Sequence, residues 1–191
     1  MNGANLPGHL RINLEASTIM FVDDNPMALE ILNSVFYGFG AKDRVKCGSL
    51  EEAKYQITTR RVDLIFLDTG FPNDGWYTFM QWLRREAPDP ACFSPVIIVT
   101  GHSTRAMVRK ARDAGAHFTI AKPISTGVLL NRLAWIAHEQ RPFVRNAIYS
   151  GPDRRWKNNG APPGTDGRRS GDAATAEAGE AELAADAKVS A

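Results

Sequence analysis

Asp63-Leu64-Ile65-Phe66-Leu67-Asp68 is a short, almost wholly apolar run that ends abruptly in an acid. It is far too brief to cross a bilayer and reads as a strand over 62–67, buried on both faces, as in a parallel sheet packed under helices. Asp68 then stands at the carboxyl end of that strand. In open α/β sheets ligands bind along that edge, so an acid there is a candidate site residue.

The pattern repeats on either side. Thr18-Ile19-Met20-Phe21-Val22 is a second apolar strand and runs into Asp23 and Asp24. Asn25-Pro26 supplies an N-cap and a first-turn proline for a helix through about Phe39, with Ala28, Ile31, Leu32, Val35 and Phe39 predicted on its inward face. A strand over 44–47 follows, and Ser49 and Glu52 have capping-box spacing for the next helix. Beyond Asp68 the turn formers Thr69-Gly70-Phe71-Pro72-Asn73-Asp74-Gly75 lead into a helix with Trp76, Phe79, Met80 and Leu83 inward. A strand over 95–100 ends at Thr100, and Thr104 to Ala114 reads as a weakly amphipathic helix closed by Gly115. The fifth strand, His117 to Ala121, runs into Lys122-Pro123, and Ser125 caps a last helix through about Gln140. Alternating strands and helices of this kind predict a parallel α/β sheet covered on both faces.

Charge is unevenly distributed. Residues 1–140 carry 15 Lys/Arg and 14 Asp/Glu, residues 141–170 carry 7 and 2, and residues 171–191 carry 1 and 5. The two cysteines, Cys47 and Cys92, show no pairing pattern and no zinc-ligand spacing. No signal peptide opens the sequence, and no apolar stretch approaches the roughly 20 residues of a membrane span, so a cytoplasmic protein without membrane insertion is expected. His9, His102, His117 and His138 lack ligand spacing, and the tryptophans read as packing residues.

Superposing the strand ends brings Asp23, Asp24, Asp68, Thr100 and Lys122 to one edge. Three carboxylates within several Å of one another repel by several kcal/mol at an effective dielectric of about 20, which calls for a cation. All-oxygen ligands with room for water suit Mg2+. A divalent ion, a lysine and a hydroxyl donor are the equipment for a transferring phosphoryl group, and a carboxylate can be its nucleophile.

Asp23-Asp24, Asp68, Thr100 and Lys122-Pro123, in that order and each at a strand end, resemble the receiver domain of bacterial two-component response regulators over about residues 16–140. The resemblance implies a flavodoxin-like fold with strand order 2-1-3-4-5. It makes Asp68 the phosphoacceptor, Asp24 a direct Mg2+ ligand, Asp23 a ligand through water and Gly70 a ligand through its backbone carbonyl. Thr100 and Lys122 would each contact a phosphoryl oxygen, and the Lys122-Pro123 bond would be cis. The partner implied is a histidine kinase or histidine phosphotransferase. The domain would catalyse its own phosphotransfer and dephosphorylation, then signal through a downstream protein or relay the phosphoryl group. His102, two residues past Thr100, lies where family side chains tune the lifetime of the acyl phosphate.

Two positions depart from the family pattern. Only Asn73 and Asp74 separate Pro72 from Gly75, one residue fewer than usual. Three residues before Lys122, where the family has a switching Tyr or Phe, stands Thr119; Phe118 beside it should face the other way.

Residues 1–15 read as a leader and 141–191 as a low-complexity tail, with disorder expected from about residue 160. Within it, Phe143, Val144, Ile148, Tyr149 and Trp156 among arginines are more apolar than a solvating linker needs, so 141–156 is a candidate docking stretch. No helix-turn-helix or winged-helix pattern appears, which disfavours direct DNA binding. The alternative function is a receiver-like effector whose Arg154-Arg155 captures cyclic di-guanylate, through bidentate and stacking contacts.

Overall fold

Every residue of the strand Leu64–Asp68 is buried, which is what a central position in a two-faced sheet demands of a continuous apolar run. The computed structural model describes residues 13–138 and 141–154. In chain order the elements are β1 (Thr18–Val22), α1 (Pro26–Gly38), β2 (Asp43–Cys47), α2 (Leu50–Thr59), β3 (Leu64–Asp68), α3 (Gly75–Arg85), β4 (Val96–Thr100), α4 (Arg105–Asp113), β5 (Phe118–Ala121) and α5 (Thr126–Ala137). The first five strands form one sheet in the order β2-β1-β3-β4-β5. All four pairings are parallel, so the flavodoxin-like order expected from the sequence is the order found.

Strand alternation divides the interior in two. Met20, Val22, Ile65, Leu67 and Ile98 pack with Ala53 and Ile57 of α2, Phe79, Met80 and Leu83 of α3, and Ala111 of α4. Ile19, Phe21, Leu64, Phe66, Ile97, Val99, Phe118 and Ile120 pack with Leu29, Leu32 and Phe36 of α1 and Leu129 and Leu133 of α5. Phe36 closes the second layer, its ring centroid 5.2 Å from that of Phe21 and 5.0 Å from that of Phe66.

The caps follow the sequence chemistry. Asn25 accepts from the Met27 amide, Ser49 from Glu52, Thr104 from Met107 and Ser125 from Val128, each satisfying an otherwise orphaned helix N–H. Glu52 reaches back past the cap and accepts from the Gly48 amide at 2.9 Å, one residue before the position a capping box uses. On α1 the inward face is rotated from the sequence expectation. Leu29, Leu32 and Phe36 are the buried residues, while Ile31 is 59% exposed. Ile31 and Leu32 are both apolar, so sequence spacing alone could not choose between two overlapping stripes.

The residues after α5 fold back. Phe143–Arg145 (β6) and Ser150–Pro152 (β7) pair antiparallel. Their turn is held by Asn146, whose side chain accepts from the amides of Ile148 at 2.9 Å and Tyr149 at 2.8 Å. The hairpin lies against the C-terminal end of α3. Ser150 donates to the Arg84 carbonyl at 3.0 Å, and the Phe143 ring meets Phe93 edge-on at 4.9 Å. Under it Arg84 is 2% exposed and donates to the carbonyls of Gly115 at 3.1 Å, Cys92 at 2.7 Å and Ser94 at 3.0 Å. The sequence expectations for residues 1–12 of the leader, Arg155, Trp156 and the stretch beyond residue 160 lie outside the described residues, while Leu14, within the expected leader, is buried in the layer of Ile19 and Phe36.

Candidate functional site

The switch point of the sheet falls between β1 and β3. The chain leaves β1 into α1 on one face and leaves β3 towards α3 on the other, so the two carboxyl ends diverge around a crevice. Asp23 and Asp24 follow β1 and Asp68 ends β3, and one carboxylate oxygen from each of the three lies within 4.8 Å of the others. Asp23 and Asp68 are buried, whereas Asp24 is exposed. Lys122, beyond the end of β5, reaches across to both buried acids, its Nζ 2.9 Å from Asp23 Oδ2 and 2.7 Å from Asp68 Oδ1. The Lys122-Pro123 bond is cis.

That arrangement sets the electrostatics. Burial works against the charge of Lys122, but hydrogen bonds to Asp68 and Asp23, with their negative charge, outweigh it and raise its pKa above the ordinary value. The second oxygen of Asp68 accepts from the Gly70 amide, and the second oxygen of Asp23 accepts from the Asn25 amide at 2.9 Å. A Cβ on Gly70 would fall 2.6 Å from Asp68 Oδ2, so a larger residue here would require the acid's side chain to shift.

Thr100 ends β4 and is buried. Its hydroxyl accepts from Thr69 Oγ1 at 3.0 Å and from the His102 amide at 3.1 Å. The structure thus gathers Asp23, Asp24, Asp68, Gly70, Thr100 and Lys122 at one edge. Sequence reading did not single out Thr69, although its place directly after Asp68 was the available signal. The side chain of His102 is exposed.

The shortened loop resolves into a local solution. Asn73 and Asp74 both adopt left-handed backbone angles, φ 56° and 54°, a region that Asn and Asp tolerate better than other non-glycine residues. Asp74 is fixed there by Lys110 of α4 at 2.9 Å, and its hydrogen bond and charge hold the Asp74 carboxyl below its usual range. At β5, Phe118 and Ile120 face α1 and α5, so alternation turns Thr119 to the opposite face, as the sequence implied. Of the arginine pair suggested for a cyclic dinucleotide, Arg155 is outside the described residues. Arg154 pairs with Asp113 at 2.8 Å and lies over the Tyr149 ring at 4.2 Å. Among the described residues no helix is long and apolar enough to cross a membrane.

The donor set is all oxygen, with two of the three carboxylates already needing a cation partner, and it fits a hard divalent ion. The chain is 38% identical over 73 residues to protein-glutamate methylesterase/protein-glutamine glutaminase 1 of Myxococcus xanthus, a match that covers 38% of this chain and 20% of that one. It is 28% identical over 117 residues to the KDP operon transcriptional regulatory protein KdpE of Escherichia coli, covering 61% of this chain and 49% of the relative. The chain therefore spans half or less of the length of these two curated relatives. Among solved structures, the receiver domain of a sensor histidine kinase from Pseudomonas aeruginosa, with magnesium coordinated in its active-site cleft, superposes with a TM-score of 0.56 at 23% identity. That superposition covers 63% of this chain and 98% of that one, a likeness of fold. Residues 19–134 match the family model of the response regulator receiver domain, more than half of the chain, and together with the sheet order and the acidic crevice this places the protein in the family of two-component response regulator receiver domains.

Proposed function

We propose that Asp68 accepts a phosphoryl group from a histidine kinase or histidine phosphotransferase in a Mg2+-dependent reaction, and that the domain passes this state on through protein contacts. The observation that carries the reading is Lys122 bridging Asp23 and Asp68 at 2.9 and 2.7 Å. A lysine held over the acceptor by two carboxylates is placed to follow negative charge from the carboxylate to an incoming phosphoryl group.

In this reading Asp68 attacks phosphorus through a carboxylate oxygen. The bond from phosphorus to the donor imidazole breaks, and the nitrogen keeps the electron pair. Asp23, Asp24, Asp68 and the Gly70 carbonyl would hold Mg2+, which when bound neutralises the phosphoryl oxygens during transfer. The Gly70 amide orients the acceptor carboxylate. Lys122 exchanges one carboxylate partner for a phosphoryl oxygen, and the Thr100 hydroxyl, now bonded to Thr69 and His102, turns to donate to another. With Thr119 in place of an aromatic, the switch is read through Thr100 and the loop after it.

The donor approaches over α1. Met27 is 71% exposed and Ile31 59%, an apolar pair one turn apart that begins three residues after Asp24. An apolar stripe running directly from the rim of the crevice fits a histidine-bearing helix, which must lie there to bring its phosphorylated nitrogen to Asp68.

The test is phosphotransfer from phosphorylated histidine kinases or phosphotransferases of the host, with Mg2+. Label is expected on the wild-type protein and absent from Asp68→Asn or after chelation. Label that survives both would overturn the reading.

A further inference from the structure

Resting on the phosphoacceptor reading of Asp68, we propose that the β6–β7 hairpin is a bolt on α4 that phosphorylation loosens. The hairpin and the candidate site lie at opposite ends of the same helix. Among the helices of the described chain α4 is the least embedded, with Ala111 its one buried residue. It is a nine-residue rod, about 12 Å from end to end, held along its length by Ala111, Met107 and the Lys110–Asp74 pair.

Its first turn is tied to Thr100. The His102 amide donates to the Thr100 hydroxyl at 3.1 Å, the Thr104 amide donates to the His102 carbonyl at 3.1 Å, and Thr104 caps α4. Its last turn is tied to the hairpin. Asp113 pairs with Arg154 at 2.8 Å, and Gly115, which ends α4 with φ +88°, faces Ser150 and Gly151. A Cβ on Gly115 would lie 2.3 Å from the Ser150 carbonyl oxygen, and one on Gly151 would lie 2.6 Å from Gly115 Cα and 2.5 Å from the Tyr149 hydroxyl. No slack exists at this seat, so it matches one placement of the end of α4.

A phosphoryl group that draws the Thr100 hydroxyl away from His102 moves the start of the rod, and the far end loses its fit to the hairpin. Both sites then bias one two-state element, and the coupling is reciprocal: unseating the hairpin must favour the phosphorylated arrangement.

The experiment uses the full chain with Mg2+ and beryllofluoride as the phosphoryl mimic, read by amide hydrogen exchange and by mimic affinity. The mimic is expected to lower protection at residues 143–152 several-fold. Arg154→Ala is expected to lower that protection without mimic and to tighten mimic binding by about two- to five-fold, the worth of an exposed ion pair, with Arg154→Lys restoring both. Gly151→Ala, whose Cβ would collide with Gly115 Cα and the Tyr149 hydroxyl and so push the hairpin off its seat, is expected to tighten binding further. Unchanged exchange at 143–152 while residues 100–107 respond, or unaltered mimic affinity in Arg154→Ala and Gly151→Ala, overturns this inference alone. No response at Asp68 or Thr100 overturns the phosphoacceptor reading and this inference with it.

Discussion

Arg84 shows how far a single residue can depart from what its type suggests. It follows the apolar Leu83 on α3, one turn after Met80, and is as buried as they are. Burial pushes its guanidinium down to about 10, so it remains charged at neutral pH, its Nε and Nη1 donating to the carbonyls of Gly115, Cys92 and Ser94 while Nη2 is buried without a partner among the described residues. Arg84→Ala should leave those buried carbonyls without donors and lower stability by about 3 kcal/mol or more. Arg84→Met should recover much of the loss, because a buried charge is often replaceable by an apolar side chain of similar volume; urea unfolding of the two variants checks this. Neighbouring His117 accepts from the Val96 amide at 3.3 Å. Burial first, then the charges of Arg84 and Arg141, hold it well below the usual imidazole range. Its folded pKa is depressed, so the unfolded chain binds the proton more readily. Stability is therefore fully present above the unfolded imidazole pKa of about 6.5 and falls as pH drops below it, by up to about 1.4 kcal/mol per pH unit. His117→Gln should flatten the dependence of the urea midpoint between pH 7.5 and 5.5; an unchanged slope would contradict this assignment. The thiols lie at the other extreme, with burial first among the causes that push Cys47 up to about 12 and Cys92 up to about 11, so both stay protonated and unreactive.

At the scale of elements, sequence reading succeeded where one pattern had one solution. β3 and β4 are apolar at nearly every position, and all of their residues are buried. The caps of α1, α2 and α5 came from polar residues placed before helical runs, and each makes its bond; that of α4, Thr104, reads in the sequence only as the first residue of the helix. It fell short where two patterns overlapped. On α1, Ile31 and Leu32 compete for the inward position, and the sheet surface chose Leu32. The rejected residue joins Met27 in the exposed stripe proposed above as the docking face of the donor. Met27→Asp combined with Ile31→Asp should slow transfer from a protein donor by about ten-fold or more, as loss of an apolar anchor does. Labelling by acetyl phosphate, which needs no docking face, should stay within about two-fold. Equal losses with both donors would place the defect in the crevice instead. The stretch after α5 was legible only as apolar residues among arginines. Its pairing depends on Asn146 closing the turn and on the Gly115–Gly151 approach, and neither long-range fit leaves a local signature.

Across the whole molecule, what the sequence shows best is the crevice, because strand topology does the assembling. Asp23, Asp68, Thr100 and Lys122 are separated by tens of residues, yet a parallel sheet delivers every strand's carboxyl end to one edge. What it could not show is how these groups are shared: that Lys122 spans Asp23 and Asp68 together, or that Thr69 holds the Thr100 hydroxyl. Those depend on loop paths set by the packed whole. Since Lys122 bridges Asp68 and Asp23, Lys122→Ala should still take a phosphoryl group from acetyl phosphate while losing the amide shifts that a phosphoryl mimic causes in the loop after β5. Loss of labelling itself would make the lysine part of the transfer step. The central claim is that this edge takes up one phosphoryl group, on Asp68. Its most direct test is intact-protein and peptide mass spectrometry after exposure to acetyl phosphate and Mg2+. A single added phosphoryl group is expected, mapped to Asp68 and lost in Asp68→Asn, in Asp24→Ala and with chelator. Addition at any other residue, or addition indifferent to all three, would contradict the account.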